Sequence, residues 1–490
     1  FNAQFLLVAI ENWLDGKLYN QKIFSYDKKQ HIAKIETKGS QGSLLLSKTY
    51  QCDSEGNPTL EEWKGDGGVF SIRRTFLENR VIKDLQSDGL GHEYTYVDDT
   101  RLLASKATFS DGKQICKTQY TYDETYNLIE EAEIGKTITS YLLYQDGPCL
   151  HRPEWKIEKD WDNNLIHKTH FTYDEFGNLA KEIHYGCDGL VSYEITRNYD
   201  SRGNLIQETN SLGQVAAYEY DSRGRCIKEI PFSQNILIQR TFDDKGRLNL
   251  LREGDHTTRF VYNSSDEIIQ KTDYLGLDTY YDYHPIHKKP TYIEEEPTVL
   301  EILYDDFGRE ISRKEAYGAT TLTKINSYGD PLVVTYPDGG KEFFQYASNR
   351  TLLTAIDPDG LRTSYVYDPL KRIISKAVGT RSINYVYDAY HLLEEQDPAG
   401  IFTQYRYNLA GQKIEEARGN RLLRFSYDPL GFLAKEENEG HWTSYENDVL
   451  GRVIAKSVDG QINTFYTYDS SGNIASITKK HSTHFNYDPY

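Results

Sequence analysis

The stretch Tyr220-Asp221-Ser222-Arg223-Gly224-Arg225 decides the fold, because copies of it return along the chain at intervals of roughly twenty residues. The clear copies are Tyr173-Asp174 with Gly177, Tyr199-Asp200 with Gly203, Phe242-Asp243 with Gly246, Tyr304-Asp305 with Gly308, Tyr427-Asp428 with Gly431, and Tyr468-Asp469 with Gly472. Tyr367-Asp368 and Tyr387-Asp388 keep the spacing without the glycine. A short fixed period indicates one supersecondary unit stacked many times. Function is therefore expected to come from the shape of the array.

Each copy predicts a β-hairpin. Aromatic and β-branched residues precede the aspartate and favour a strand. The aspartate can accept hydrogen bonds from the N–H groups just ahead, so it suits the first position of a turn. The glycine at the fourth position supplies the left-handed residue that a bulged hairpin needs. A second turn follows half a period later, as at Asp111-Gly112, Asp188-Gly189, Asp338-Gly339, Asp359-Gly360 and Asp459-Gly460. One repeat is therefore two strands and two turns.

An aromatic residue usually lies two positions before the repeat tyrosine, as in Tyr218/Tyr220 and Tyr365/Tyr367. Residues two apart on a strand face the same side of a sheet. Stacked repeats should therefore align rows of rings, each burying on the order of 150–250 Å². Hydrophobic residues make up 38% of the chain and the mean hydropathy is −0.67. Both values suit a sheet without a thick apolar core.

The repeat is regular over residues 121–490 and degenerate over residues 1–120. We interpret the two parts as one continuous array with a divergent amino-terminal section. About 20 repeats would give some 40 strands, which exceeds an ordinary open sheet. The predicted fold is therefore all-β, a long strip of repeated hairpins that must curl.

These residues resemble the YD-repeat, or Rhs-repeat, family, whose signature Tyr-Asp-x-x-Gly-Arg is matched by Tyr220 to Arg225. The resemblance covers at least residues 173–490. It implies that the curved strip spirals into a hollow shell or partial shell. Such shells sheath toxic cargo in insecticidal toxin complexes and bacterial polymorphic toxins, and related shells occur in adhesion proteins of animals. The resemblance also implies an exported or cell-surface location.

The chain departs from the family at its carboxyl end. Family toxins usually end their repeats with a distinctive closing segment and a variable cargo domain, and many cut themselves there with acidic residues. Residues 486–490 still follow the repeat spacing, and we recognise neither a closing segment nor a cargo. No catalytic residue is carried over, and we interpret the chain as part of a longer protein or as a shell without its payload.

The net charge of −18 excludes nucleic acid as an expected partner, because no basic stripe offsets it. The longest apolar run, residues 5–10, is too short to span a bilayer. We recognise no signal peptide.

Metal and cofactor sites are not expected. The pairs His167/His170, His284/His287 and His481/His484 are three residues apart, which on a strand places the two side chains on opposite faces. His184 and Cys187 fail for the same reason. The segment from Asp160 to Leu165 lacks the glycine and the bidentate glutamate of a calcium loop. The remaining cysteines are also scattered singly, so small buried residues rather than disulfides are predicted at Cys52, Cys116, Cys149, Cys187 and Cys226.

No nucleophile elbow, phosphate loop or zinc-protease motif is recognised. The leading hypothesis is a non-enzymatic encapsulating scaffold of an Rhs-type exported protein, which shelters a toxic or unfolded polypeptide. Its partners would be that polypeptide cargo or the rest of a larger toxin. One alternative is a cell-surface adhesion or glycan-binding module that uses exposed aromatic rows. Another is an enzyme located before Tyr173.

Overall fold

The computed structural model describes residues 5–40, 42–233, 236–479 and 482–485, which form 44 β-strands and two short 3-10 helices. Up to residue 173 the strands are β1 (Ala9–Leu14), β2 (Lys17–Tyr26), β3 (Ile32–Lys38), β4 (Leu44–Cys52), β5 (Pro58–Gly65), β6 (Gly68–Leu77), β7 (Arg80–Gln86), β8 (Leu90–Tyr96), β9 (Leu103–Ser110), β10 (Lys113–Tyr122), β11 (Leu128–Glu133), β12 (Thr137–Leu143), β13 (Pro153–Asp160) and β14 (Leu165–Tyr173). Up to residue 346 they are β15 (Leu179–Tyr185), β16 (Val191–Tyr199), β17 (Leu205–Asn210), β18 (Val215–Tyr220), β19 (Cys226–Ile230), β20 (Ile238–Phe242), β21 (Leu248–Glu253), β22 (His256–Tyr262), β23 (Ile268–Thr272), β24 (Asp278–Tyr283), β25 (Pro290–Glu295), β26 (Thr298–Tyr304), β27 (Glu310–Lys314), β28 (Thr320–Ile325), β29 (Pro331–Thr335) and β30 (Lys341–Tyr346). The last are β31 (Leu352–Ile356), β32 (Arg362–Tyr367), β33 (Ile373–Val378), β34 (Arg381–Tyr387), β35 (Leu392–Gln396), β36 (Phe402–Tyr407), β37 (Lys413–Arg418), β38 (Arg421–Tyr427), β39 (Leu433–Asn438), β40 (His441–Asn447), β41 (Val453–Val458), β42 (Gln461–Tyr468), β43 (Ile474–Thr478) and β44 (Ser482–His484). The 3-10 helices are Gly147–Cys149 and Ala316–Gly318.

Strands that follow one another along the chain pair antiparallel, as β16 does with β17 and β17 with β18. The strands of the described residues all belong to one sheet. The predicted all-β strip of repeated hairpins is confirmed. No helix among the described residues has the length and hydropathy required to cross a membrane.

The repeat hairpin has a four-residue turn followed by a bulge. In the copy at residues 199–205 the N–H of Asp200 donates to the carbonyl of Asn204 at 2.9 Å, and the N–H of Gly203 donates to that of Asp200 at 3.0 Å. Gly203 has φ +81°, and the strand register slips between Asn198 and Tyr199. A residue with a Cβ adopts this left-handed conformation only with strain, which accounts for the glycine.

The intervening turns are of two kinds. Asp459 and Gly460 form a two-residue turn in which both φ angles are positive, 48° and 81°, as the favoured short hairpin turn requires. Gly360 instead donates its N–H to the carbonyl of Asp357 at 2.9 Å in a four-residue turn. Because hairpins alternate along the strip, the repeat turns share one edge, which we call the YD edge. The intervening turns share the other, which we call the second edge.

The sheet has little conventional core. The buried apolar residues are Ala107, Ala132, Leu143, Cys149, Ala216, Ile302, Leu423 and Ala455. Among the described residues no large side chain is fully buried. The repeat tyrosines are half-buried, as Tyr218 and Tyr220 are, while Glu219 between them is exposed. This agrees with the low hydropathy of the chain.

The contacts group the chain into two units. One consists of Phe1–Cys116 with Phe260–Val386, and the other of Lys117–Arg259 with Tyr387–Tyr490. Each unit therefore joins two stretches that are distant in sequence. The division between residues 1–120 and 121–490 concerned the regularity of the repeats, and it stays a prediction.

Candidate functional site

The repeat aspartate organises its own turn. In the copy at residues 220–225, Oδ1 of Asp221 accepts the N–H groups of Arg223 at 2.8 Å and Arg225 at 3.0 Å, and Oδ2 accepts Nε–H of Arg225 at 2.7 Å. The Arg225 N–H bond is the main cause that lowers the pKa of Asp221. In other copies the side chain four residues after the aspartate likewise donates to its Oδ2. These pairs are Asp174–Asn178, Asp200–Asn204, Asp243–Arg247, Asp305–Arg309, Asp368–Arg372 and Asp469–Asn473.

Two copies vary this arrangement. Asp388 accepts the N–H of His391, three residues on, at 2.5 Å. Asp428 accepts only backbone N–H within its turn, because Phe432 occupies the fourth position. The turn glycines all have φ between 73° and 92°: Gly177, Gly203, Gly224, Gly246, Gly308, Gly431 and Gly472. The Tyr-Asp-x-x-Gly-Arg signature includes the residue after the glycine, but sequence reasoning missed the bond of that residue to the aspartate.

The repeat tyrosine binds the adjacent strand. The hydroxyl of Tyr220 donates to the carbonyl of Leu205, the first residue of β17, at 2.9 Å. Burial raises the pKa of Tyr220. The same bond joins Tyr173 to Pro153, Tyr199 to Leu179, Tyr283 to Ile268, Tyr304 to Pro290, Tyr407 to Leu392, Tyr427 to Lys413 and Tyr468 to Val453. Where Asn447 replaces tyrosine, its Nδ2 donates to the carbonyl of Leu433 at 3.0 Å. We call this contact the Tyr–carbonyl bond.

Neighbouring turns of the YD edge stack on one another. The guanidinium of Arg225 lies 4.4 Å from the ring centroid of Phe242 in the next copy, and that of Arg452 lies 4.6 Å from Tyr468. A Cβ on Gly246 would lie 3.2 Å from Nη1 of Arg225. The basic residue of one repeat thus covers the aromatic residue and the turn of the following repeat. Each repeat depends on its neighbour for packing.

A first seam lies within the unit Phe1–Cys116 with Phe260–Val386, between residues 19–88 and residues 284–350. The N–H of Ser327 donates to Oδ1 of Asp66 at 2.6 Å, and Nδ2 of Asn349 donates to Oδ2 of Asp88 at 3.0 Å. Each pair is 261 residues apart. Successive repeats of the later stretch therefore meet successive repeats of the earlier one. Turns of the YD edge contact turns of the second edge.

A second seam lies within the other unit, and there too turns of the YD edge contact turns of the second edge. The N–H of Cys187 donates to the carbonyl of Pro429 at 2.9 Å, and Nε2 of Gln214 donates to the carbonyl of Ser470 at 3.2 Å. Nζ of Lys136 lies 4.8 Å from the ring centroid of Tyr390. The partners of these polar bonds are 242 and 256 residues apart, close to the separation in the first seam.

Placement on opposite faces of a strand does not apply to one histidine pair. His284 and His287 lie in the turn after β24 rather than on a strand, and their ring centroids are 4.6 Å apart. His167 and His170 do lie on a strand, and their rings have different partners. The ring centroid of His167 lies 5.4 Å from that of His184, and the ring centroid of His170 lies 4.3 Å from that of Trp155. His481 lies outside the described residues. Within the described part of the chain no group of three or more histidine, cysteine, aspartate or glutamate side chains is arranged to hold a metal ion.

The other polar candidates are placed as follows. Asp160 is buried and its Oδ1 accepts the N–H of Asn164 at 2.8 Å, so it caps its own turn. All five cysteines are free thiols: Cys149 is buried, Cys52, Cys116 and Cys226 are half-buried, and Cys187 is exposed. The prediction that Cys187 is buried is wrong, because it lies in a turn of the second edge.

Comparison with known proteins supports the repeat assignment. The RHS Repeat family model matches residues 199–230, which confirms the predicted resemblance over that stretch. tRNA nuclease WapA of Bacillus subtilis is 23% identical over 290 residues, which is 58% of this chain and 11% of that protein. Double-stranded DNA deaminase toxin A of Burkholderia cenocepacia is 29% identical over 117 residues, which is 20% of this chain and 8% of that protein. The chain thus matches about a tenth of the length of these relatives.

A solved structure shares the fold. The crystal structure of TcdB2-TccC3-Cdc42 matches 97% of this chain and 34% of that chain, with a TM-score of 0.64 and 12% sequence identity. At this identity the match concerns the fold alone. The fold class predicted from the repeat is confirmed by it.

Proposed function

We propose that this chain of RHS repeats is a section of the wall of a shell that holds a toxic or unfolded polypeptide, and that it has no enzymatic activity of its own. The observation that carries the proposal is the pair of seams. In each unit the YD edge of a later stretch meets the second edge of a stretch some 240–260 residues earlier. A strip that meets its own edge in this way winds into a wall.

The thin core supports the same proposal. A wall one sheet thick keeps both faces near solvent or cargo, and the repeat provides for this with half-buried tyrosines rather than a layer of aliphatic residues. The Tyr–carbonyl bonds and the stacked turns supply contacts within the wall that need no second layer. The proposed function therefore depends on the area of wall that the single sheet forms.

The resemblance to the repeat family supplies the nature of the cargo, a toxic polypeptide. The relatives named as a nuclease and a deaminase toxin match this chain over about a tenth of their own length. We therefore assign neither activity to this chain. An exported or cell-surface location follows from the same resemblance and is part of the proposal.

Small-angle X-ray scattering of the purified chain tests the wall. A hollow or cup-shaped particle should give a pair-distance distribution shifted toward long distances relative to a solid particle of equal mass. Electron microscopy should then show an internal space of low density. A solid globule or a straight solenoid without a lumen would sink the proposal.

A disulfide across the first seam tests the winding. In a chain whose native cysteines are replaced by serine, Asp66→Cys with Ser327→Cys should form a disulfide, because these residues are in direct contact. The pair Asp66→Cys with Asn349→Cys is the control. Asn349 contacts Asp88, one repeat further along the seam than Asp66. Asn349 therefore lies two strand spacings, about 10 Å, from the partner of Asp66, and this exceeds the reach of a disulfide. Equal oxidation of both pairs would contradict the winding.

Binding of glycans is the second candidate, and one patch favours it. Tyr274 and Tyr280 are 53% and 45% exposed, beside Leu275 and Leu277. The repeat tyrosines, in contrast, are half-buried and many donate their hydroxyls to backbone carbonyls, as Tyr220 does. A glycan array should show saturable binding that Tyr274→Ala and Tyr280→Ala abolish if this candidate is correct. A container alone should show none.

A further inference from the structure

A row of charged and imidazole side chains crosses strands β13 to β17 in the unit Lys117–Arg259 with Tyr387–Tyr490. At its centre Nε2 of His167, on β14, lies 3.3 Å from Nδ1 of His184, on β15. The row continues beyond Glu182, where Arg197 contacts Glu182 at 3.3 Å and Glu208 at 2.7 Å. The two histidines come from neighbouring strands rather than from one strand.

The outer nitrogen of each histidine faces a carboxylate. Nε2 of His184 lies 2.9 Å from Oε1 of Glu182, and Nδ1 of His167 lies 3.7 Å from Oε2 of Glu158. A carboxylate holds the imidazole proton on the nitrogen that it faces. Glu182 is close enough to hold the proton of His184 on Nε2, so Nδ1 of His184 carries a lone pair, which Nε2–H of the neutral His167 can accept as a hydrogen-bond partner at 3.3 Å.

If the His167 proton moves to Nδ1, which faces Glu158, both inner nitrogens carry lone pairs directed at one shared position. The hydroxyl of Thr169, which is buried, lies 3.2 Å from Nδ1 of His184 and can donate to that nitrogen alone. In that tautomer the two inner nitrogens are placed to share one cation.

We propose that His167 and His184 bind a divalent transition-metal ion of the zinc, nickel and copper class, and so tie β14 to β15. Nitrogens 2.0–2.1 Å from a tetrahedral zinc ion lie about 3.4 Å apart, close to the spacing of the pair. Imidazole suits this class of metals. The carboxylates of Glu158 and Glu182 orient the rings and raise their basicity, as carboxylates behind metal-binding histidines do.

The site has two protein ligands, and water completes the coordination. Among the described residues no third histidine, cysteine, aspartate or glutamate joins the pair. Binding is therefore weaker than at a closed structural site with four protein ligands. Sequence analysis did not reveal the site, because its two ligands are seventeen residues apart and belong to different strands.

Calorimetric titration of the full chain with zinc chloride tests the site, in a Cys187→Ser background that removes the exposed thiol. One saturable site is expected, and His167→Gln should weaken it at least tenfold. His170→Gln is the matched control, because it lies on the same strand but stacks on Trp155. It should leave zinc binding unchanged, and millimolar magnesium should not compete.

Electron paramagnetic resonance of the bound copper ion gives a readout that does not depend on a variant. Hyperfine coupling to two imidazole nitrogens is expected at one equivalent of copper. Far-UV circular dichroism in the presence of EDTA checks that His167→Gln is folded. Absence of saturable zinc binding in the parent chain would overturn the proposal, since the hydrogen bond between the two rings would then account for their spacing. Zinc binding that His167→Gln leaves intact would overturn it equally.

Discussion

The hydroxyl of Tyr19 lies 3.2 Å from Nε2 of His284, a residue 265 positions later in the chain. Nδ1 of His284 accepts the backbone N–H groups of Ile286 and His287, each at 3.2 Å. The imidazole proton is therefore on Nε2 and is donated to Tyr19, whose own hydroxyl donates to the carbonyl of Asp305 at 3.1 Å. This chain of bonds requires a neutral His284, so protonation of His284 should weaken the first seam.

Acid should weaken the first seam near neutrality. Burial is the main cause that lowers the pKa of His284 and of His287 below the ordinary value of 6.5, and Asp305 and Asp306 oppose the shift at His287 while Lys289 adds to it. The unfolded chain then binds more protons than the folded chain as the pH falls below 6.5, and stability is lost. Urea midpoints between pH 8 and pH 5 measure this loss.

The double variant His284→Gln, His287→Gln should lose less stability over that range than the parent chain. His170→Gln, outside the seam, is the control and should keep the parent's pH dependence. Identical pH dependence in the double variant and the parent would show that the seam histidines do not contribute.

A second loss of stability is expected at lower pH. The side-chain bond from Asn127 is the main cause that lowers the pKa of Asp123 to about 2. A depressed carboxyl stabilises the fold fully above its ordinary pKa of 3.8, and the contribution disappears as the pH falls toward 2. Asp123→Asn should flatten the urea midpoint between pH 4 and pH 2. Asp244→Asn is the control, and an equal flattening there would contradict the assignment.

Removal of a Tyr–carbonyl bond should destabilise the sheet locally. Tyr220→Phe keeps the ring but leaves the carbonyl of Leu205 without its donor, at a cost of about 1 kcal/mol. Urea unfolding of the parent and the variant measures it. Tyr280→Phe is the control, because the hydroxyl of Tyr280 donates to Asp278 on its own strand and the ring is exposed. A smaller effect at Tyr220 than at Tyr280 would refute the role of the bond.

The fourth position of the repeat turn should respond in opposite directions to opposite substitutions. Gly203 has φ +81° and a Cβ there would meet Asn178 only at 3.5 Å, so Gly203→Ala adds backbone strain without a clash and should cost about 1 kcal/mol. Lys371 occupies the same position with φ 64°. Lys371→Gly should therefore stabilise the protein by a similar amount in the same urea assay. Two changes of the same sign would contradict the explanation.

The hairpins could be predicted because their chemistry is local. An aspartate, a glycine and a residue four positions on form a turn wherever they occur, and the spacing alone places Asp200 and Gly203 correctly. The Tyr–carbonyl bond left a signal that was not used, namely that the second aromatic residue is usually tyrosine rather than phenylalanine. Phe242 and Asn447 are exceptions, and Asn447 replaces the lost hydroxyl with its amide.

The seams could not be predicted from the repeat. Ser327 meets Asp66 although the two residues are 261 positions apart, and no short segment records which distant turns will meet. His284 and His287 come together because Pro285 to His287 form a turn, and their spacing in the sequence did not show whether they lie on a strand or in a turn. His167 and His184 meet across two strands, so a search for paired ligands within one strand misses them. Local patterns predict strands and turns, while distant contacts depend on the accumulated geometry of the sheet.

The pairing of Asp66 with Ser327 fixes the number of repeats that can lie between these two residues. Removal of one hairpin unit between these residues would leave every remaining hairpin intact, yet it would put each later turn out of phase with its partner by one step. The number of repeats can therefore change freely only outside the stretch between two residues that pair across a seam. Insertions inside it should survive in evolution only when a second change restores the phase.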